Sequence, residues 1–383
     1  MGEAQSLSNS YGAVRRWFRG TLYQAIVLGI VSFTQQGIWT ALASMGAGGL
    51  ASPYFVNAVN VITYVIMIVM SPLFAVLGNR FSLKWILVFG TIGYTPYFGA
   101  LYCNSVYGTQ WFLILGSVTC GFSAAALWTS EAAIAVAYPE AHNRGTYIGI
   151  WMAIGLFGTV IGSSVQLSLN VHNSSQGSVT PNTYLALIAL SCLGLPLSLT
   201  ISPPDKLLRT DGTVPTFKSG KTAIPLKEGL SGLWKWVMNF YLQATLQSQD
   251  PPPVLDIFSP GYAKAITAYC LFSIAGNASV VWMYWMLGLF SDDLDTLAYT
   301  TGILRSAESV GFAAAYGIGS NSNISLMTNL AVSFVVFVVS VPFTCYVAWK
   351  GEDLEKNKSS LSEIAQLDED HTSDPEISKA IEA

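Results

Sequence analysis

Nine predominantly apolar stretches, most of them near twenty residues long, recur along this sequence and restrict what it can fold into. An α-helix needs about 20 such residues to cross a hydrocarbon core of about 30 Å. The stretches run over 21–42, 55–77, 85–102, 111–138, 147–169, 184–201, 263–290, 297–318 and 326–349. Hydrophobic residues make up 52% of the chain and charged residues 10%, against roughly 25% charged in a soluble domain. That is too little charge to clothe a soluble surface. The sequence predicts an all-α, polytopic helical membrane protein embedded in a lipid bilayer.

Sidedness follows from Lys and Arg, because short basic loops stay cytoplasmic. Arg15, Arg16 and Arg19 precede the first stretch, Arg80 and Lys84 lie between the second and third, and Arg144 between the fourth and fifth. Lys206, Arg209, Lys218, Lys221 and Lys227 follow the sixth. The alternate loops 43–54, 103–110 and 170–183 contain neither residue type, so the amino terminus is expected inside. Asn173, in an Asn-Ser-Ser sequence, then falls outside and matches a glycosylation acceptor. The first stretch is too long and too late to be a cleaved signal peptide. Gly2 and Ser6 fit the bare N-myristoylation pattern, but an acyl anchor adds little to nine spans.

The chain divides into a cytoplasmic segment, 1–20, a six-helix bundle, 21–201, a cytoplasmic connector, 202–262, a three-helix membrane segment, 263–349, and a tail, 350–383. The connector is rich in Pro, Lys, Gln and Asp and holds an apolar segment over 229–246, suited to the membrane surface. The tail carries ten acids against four Lys and reads as disordered and solvated. Parity conflicts with this division. Six crossings return the chain inside, and three more would leave the tail outside, whereas Lys350, Lys356 and Lys358 favour an inside tail. Either the 229–246 segment crosses or spans are missing from an ancestral architecture.

Several blocks carry a family resemblance: "FTQQGIWTALASMGAGG" at the end of the first stretch, "VLGNRFSLKW" between the second and third, "FGTIGYTPYFGALYC" in the third, and "ALWTSEAAIAVAYPEAHNRGTYIGIW" across the fourth and fifth. Near the end comes "VWMYWMLGLFSDDLDTLAYTTGILRSAESVGFAAAYGIGS". In this order they resemble the fungal Unc-ninety-three-like members of the major facilitator superfamily. The resemblance covers about two thirds of the chain. It implies a six-helix bundle and a second, shortened bundle, because the connector runs almost directly into what resembles helix ten. Equivalents of helices seven to nine are expected to be absent. It also implies a cytoplasmic gate in "VLGNRFSLKW", where Asn79 stands in place of the family's acid and Arg80 and Lys84 are the basic members. The plainer role of Arg80 and Lys84 is to set topology.

Charges inside the apolar stretches are the candidate functional groups. Glu131 lies in the fourth stretch, where a charge costs roughly 2.5–3.5 kcal/mol to insert. Such groups face a bundle interior or a wet cavity, and burial favours the neutral, proton-carrying carboxyl. Glu131 is therefore expected to be a proton or cation site, or else a protonated acid bonded to a neighbouring helix as structural glue. Arg305 and Glu308, three apart in 297–318, share one helical face and can offset each other. A sharper expectation places them in one pathway with Glu131. The small-residue pairs Gly145/Gly149, Gly158/Gly162 and Gly311/Ala315 have the spacing that lets helices approach closely.

Nothing in the sequence suggests an enzyme. His142, His172 and His371 are far apart, the five Cys lack metal-ligand spacing, and no nucleotide fingerprint appears. No catalytic residue, metal, cofactor or nucleic-acid partner is expected. The sequence points to a transporter-like protein for a small solute or cation. The alternative, which the resemblance also implies, is a non-transporting regulatory subunit or trafficking adaptor acting on another membrane protein.

Overall fold

The computed structural model describes residues 17–44, 53–140, 143–170, 179–209, 262–290, 294–321 and most of 323–346. Asn173, the glycine-rich 46–49 turn, the 229–246 segment and the acidic tail lie outside the described residues.

Helix α1 (Thr21–Ser32) passes without a break through a π-helical turn, Phe33–Gly37, into α2 (Ile38–Ser44). Then come α3 (Pro53–Phe81), α4 (Leu83–Gly90), α5 (Tyr94–Tyr107), α6 (Gln110–Ala137), α7 (Arg144–Asn170), α8 (Pro181–Cys192) and α9 (Gly194–Leu199). After the connector follow α10 (Tyr262–Phe290) and α11 (Leu294–Gly319). Local chemistry sets several of these ends. Ser82 turns the chain between α3 and α4 with φ at 91°, Gly108 closes α5 in the left-handed region at φ 68°, and Pro181 opens α8, where its missing N–H costs nothing.

Six helical segments among the described residues are long and apolar enough to cross a membrane: Thr21–Ala43, Tyr54–Phe81, Leu83–Tyr107, Gln110–Ala137, Arg144–Asn170 and Pro181–Leu199. They coincide with the first six apolar stretches of the sequence. Helices α10 and α11 hold 29 and 26 residues, about 40 Å of helix each. The fold is all-helical, as the sequence predicts.

The centre of the bundle is α6. Its Ala-rich stretch from Ser123 to Ala137 is buried apart from a half-exposed Trp128. Small side chains there let α3, α4, α5 and α11 close on it. Glycines do the same between α1/α2 and α7. A Cβ on Gly158 would lie 2.6 Å from the Phe33 carbonyl oxygen, and one on Gly162 would lie 2.6 Å from the Ala41 Cβ. By contrast, a Cβ on Gly145, Gly149 or Gly311 would meet nothing within 4 Å among the described residues. Of the three pairs singled out from the sequence, Gly158/Gly162 is the one whose glycines the fold uses for close packing.

The register of the last two described long helices fixes their direction. Along α11, Asp295 meets Asn79, Gly302 packs on Ala75, Phe312 stacks on Tyr64, and Gly319 meets Asn57. The helix is therefore antiparallel to α3. Along α10, Tyr284 packs on Trp151 and Gly288 meets Arg144, so α10 is antiparallel to α7. The carboxyl end of α10 and the start of α11 thus lie at the end of the bundle that holds Asn79 and Arg144, and Tyr262 begins α10 at the opposite end. Arg209 meanwhile donates to the carbonyls of Ala137 (2.7 Å) and Tyr138 (3.1 Å) at the inner end of α6.

This register sets Arg209 and Tyr262 at opposite ends of the bundle. Reporters placed after Arg209 and beyond residue 350 should read the cytoplasmic side, and one just before Tyr262 the other side. The same reading at 209 and 262 would contradict the register. For packing, Gly158→Leu should lower the melting temperature in detergent, with about 1–3 kcal/mol of overpacking, while Gly149→Leu should leave it unchanged.

Candidate functional site

Glu131 lies on α6, fully buried at 0% exposure. Its Oε2 accepts a short hydrogen bond from Gln36 Nε2. Two adjacent amides of the π turn meet different neighbours: Gln35 Nε2 donates to the Ser191 carbonyl of α8 at 2.8 Å, while Gln36 faces α6. Ser32, just before the turn, accepts from Trp151 Nε1 at 2.7 Å and lies beside the Glu131 carboxyl.

Arg305 of α11 forms an ion pair with Glu308 one turn along the same helix. Its guanidinium carbon also lies 4.5 Å from the Trp128 ring centroid and 5.1 Å from that of Tyr284, where the faces of the two rings attract a cation. Trp128 is held in turn by its Nε1, which donates to the Tyr94 hydroxyl at 2.9 Å. Trp128 stands one turn before Glu131. Arg305 thus approaches Glu131 through Trp128, but among the described residues no ion pair joins them. Glu131 Oε1, the Tyr284 hydroxyl and Arg305 Nε are buried without a hydrogen-bond partner among the described residues. Five helices, α1, α6, α7, α10 and α11, contribute to this buried cluster.

The expected gate residues lie at the inner end. Asn79 Nδ2 donates to the Asp295 carbonyl at the start of α11, 3.0 Å away, so it ties the first half of the chain to the second. Lys84 Nζ donates to the Leu199 carbonyl at 2.9 Å, within the first half. Arg80 is exposed in the last turn of α3. Arg144, read from the sequence as a topology charge, forms a second tie between halves: it is buried and its Nη1 donates to the Gly288 carbonyl at 2.6 Å. Gln36 and Tyr284 were not singled out in the sequence. The signal for Gln36 was present, since two adjacent amides in an apolar span are costly unless bonded.

Residues 8–356 match the family model described as Major Facilitator Superfamily. The chain belongs to this superfamily. Among curated relatives, a notoamide biosynthesis cluster protein O' of Aspergillus versicolor is 25% identical, covering 88% of this chain and 90% of that protein. The UNC93-like protein 1 of Arabidopsis thaliana is 33% identical, and the match covers 52% of this chain and 43% of that protein. A UNC93-like protein of Schizosaccharomyces pombe is 32% identical over 51% of this chain and 38% of that protein. The chain thus matches less than half the length of these UNC93-like relatives. A crystal structure of the superfamily transporter FucP in the outward conformation shares the fold, with a TM-score of 0.50, 11% identity, and coverage of 85% of this chain and 98% of that one. The alignment with the Aspergillus protein runs over 422 positions yet takes in 88% of 383 residues, so roughly 85 positions hold residues that this chain lacks.

Glu308→Gln should leave the buried guanidinium uncompensated and lower stability by about 3 kcal/mol. Arg305→Gln/Glu308→Gln together should cost clearly less than the two single changes summed. Melting temperatures of the four proteins in a double-mutant cycle check this, and additive losses would show that the pair is not coupled.

Proposed function

We propose that this transporter-like chain moves a small solute or cation across a membrane in a cycle during which Glu131 takes up and releases a proton. The observation carrying this reading is the Glu131 carboxyl itself: fully buried where the two halves meet, with one oxygen held by Gln36 and the other without a partner among the described residues. A buried polar atom left open in this way calls for a water, an ion or a functional role. When Glu131 is ionised, the Gln36 amide stabilises the charge by donating to it. When it is protonated, the neutral acid removes most of the insertion cost. Arg305 and Glu308 offset each other, so a proton on Glu131 can come and go without breaking their pair. Alternation would proceed by release of the inner ties at Asn79 and Arg144 and closure at the outer end.

A second reading, a regulatory subunit or trafficking adaptor for another membrane protein, is supported by the roughly 85 positions that this chain lacks relative to its Aspergillus relative. Purification in mild detergent would then recover a stoichiometric membrane partner.

The transport reading is tested in liposomes containing purified protein and a pH-sensitive dye. The wild type should show proton or cation flux that varies with pH, and Glu131→Gln, still monodisperse, should lose at least tenfold in flux together with its pH dependence. Zero flux at every pH for both proteins would sink it.

A further inference from the structure

Arg305 and Glu131 each leave a complementary atom open. Arg305 Nε is a buried donor and Glu131 Oε1 a buried acceptor, and neither has a hydrogen-bond partner among the described residues. Opposite charges inside a membrane ordinarily pair, because pairing offsets the cost of both. Among the described residues no ion pair joins these two, and what Arg305 meets on α6 is the Trp128 ring, with the guanidinium carbon 4.5 Å from its centroid.

The register of the helices accounts for this. Thr63 meets Ser117 and Ile66 meets Gly121, so α3 and α6 run parallel, and α11, antiparallel to α3, is antiparallel to α6 as well. Thr301 donates to the Thr129 carbonyl. One turn further along α11, Arg305 has therefore moved back along α6, to Trp128 and away from Glu131. Glu308, another turn on, pairs with Arg305 from the side remote from Glu131. The indole is itself fixed, since its Nε1 donates to the buried Tyr94 hydroxyl of α5 at 2.9 Å.

We infer that Trp128 is a positioning residue whose indole keeps the Arg305 guanidinium beside Glu308 and off Glu131, so that the Glu131 carboxyl stays free to exchange its proton. The inference rests on the transport reading and adds the side chain that keeps the two charges apart. Arg305 is the cation that acts on Glu131. The other ionisable groups around it are Tyr94 of α5, Tyr284 of α10 and Glu308 of α11, with Tyr64 of α3 next to Glu308. The remaining neighbours are uncharged: Ser32 and Gln36 from the first span, Trp151 of α7, and Gly90 of α4 against Leu127. An Arg305 released onto Glu131 would favour the ionised carboxylate and hold it there.

The test titrates the full chain in lipid nanodiscs by infrared spectroscopy, following the carbonyl-stretch band of a protonated carboxyl that disappears in Glu131→Gln. Pairing with a cation favours the ionised form, so Trp128→Leu should move the midpoint of that band toward acid, by about 1–3 pH units. In an Arg305→Gln/Glu308→Gln background the same change at Trp128 should leave the midpoint where that background has it. If Trp128→Leu fails to fold, Trp128→Met, unbranched and adaptable, takes its place. A midpoint that does not move, or moves toward alkali, when the ring is lost would overturn the inference, as would an equal shift in the background without Arg305. Because the band is read without flux, an acid shift in a protein silent in liposomes would count against the transport reading alone, and an unmoved midpoint in a protein whose flux depends on Glu131 would count against the role of Trp128 alone.

Discussion

A guanidinium held inside the membrane region sets the conditions that the rest of this structure meets. Between helices in lipid there is little hydrophobic drive, so association depends on close packing and polar contacts. Arg305 supplies both and concerns three helices at once. It pairs with Glu308 on its own helix, lies over Trp128 of α6 and approaches Tyr284 of α10. Each contact offsets part of the cost of a buried charge, and together they bring α10 and α11 against the first bundle at one level. The hydroxyls of α11 extend the seam, with Thr301 donating to the Thr129 carbonyl at 3.4 Å and Ser306 to that of Ile68 at 2.5 Å.

On the other side of α6 the same need for close approach is met by absence of side chain. The backbone of the π turn rests against Gly155 and Gly158 of α7 so tightly that a Cβ on Gly37 would lie 2.7 Å from the Gly155 carbonyl oxygen. The turn so packed carries Gln36, whose amide donates to Glu131. The glycines of α7 and the hydrogen bond on α6 are therefore parts of one arrangement, although no glycine touches the acid.

Much of the helical layout was legible because lipid-spanning length and apolar composition leave few alternatives for stretches such as 55–77 and 111–138. Glu131, Arg305 and Glu308 were legible for the same reason: charge is rare in such stretches and needs an explanation. What the sequence did not reveal depends on register between distant segments. Whether Arg305 meets Glu131 or Trp128 is decided by a rotation of α11 against α6 that leaves no trace in either segment alone. The π turn was likewise hidden, since "FTQQGIW" continues an apolar helix in every respect but its amides. Gly145 and Gly149 show the opposite error: spacing marked them as a packing seam, yet the described residues place no neighbour there, because spacing states what a face permits and not what covers it.

The ties at the inner end bear on how such a structure could change state. Asn79 and Arg144 donate to the carbonyls of Asp295 and Gly288. A neutral hydrogen bond of this kind is worth about 1 kcal/mol and one to a charged group about 1.5–3 kcal/mol. Breaking both costs a few kcal/mol, the gap at which a minor conformation is populated at about 0.1–10%. An acid in place of Asn79, as the resemblance leads one to expect, would raise that cost by adding a charge that must be kept satisfied. At the opposite end of α11, Asn57 donates to the Gly319 carbonyl at 2.9 Å. Opening either end therefore means breaking hydrogen bonds between the two halves, at Asn79 and Arg144 on one side and at Asn57 on the other.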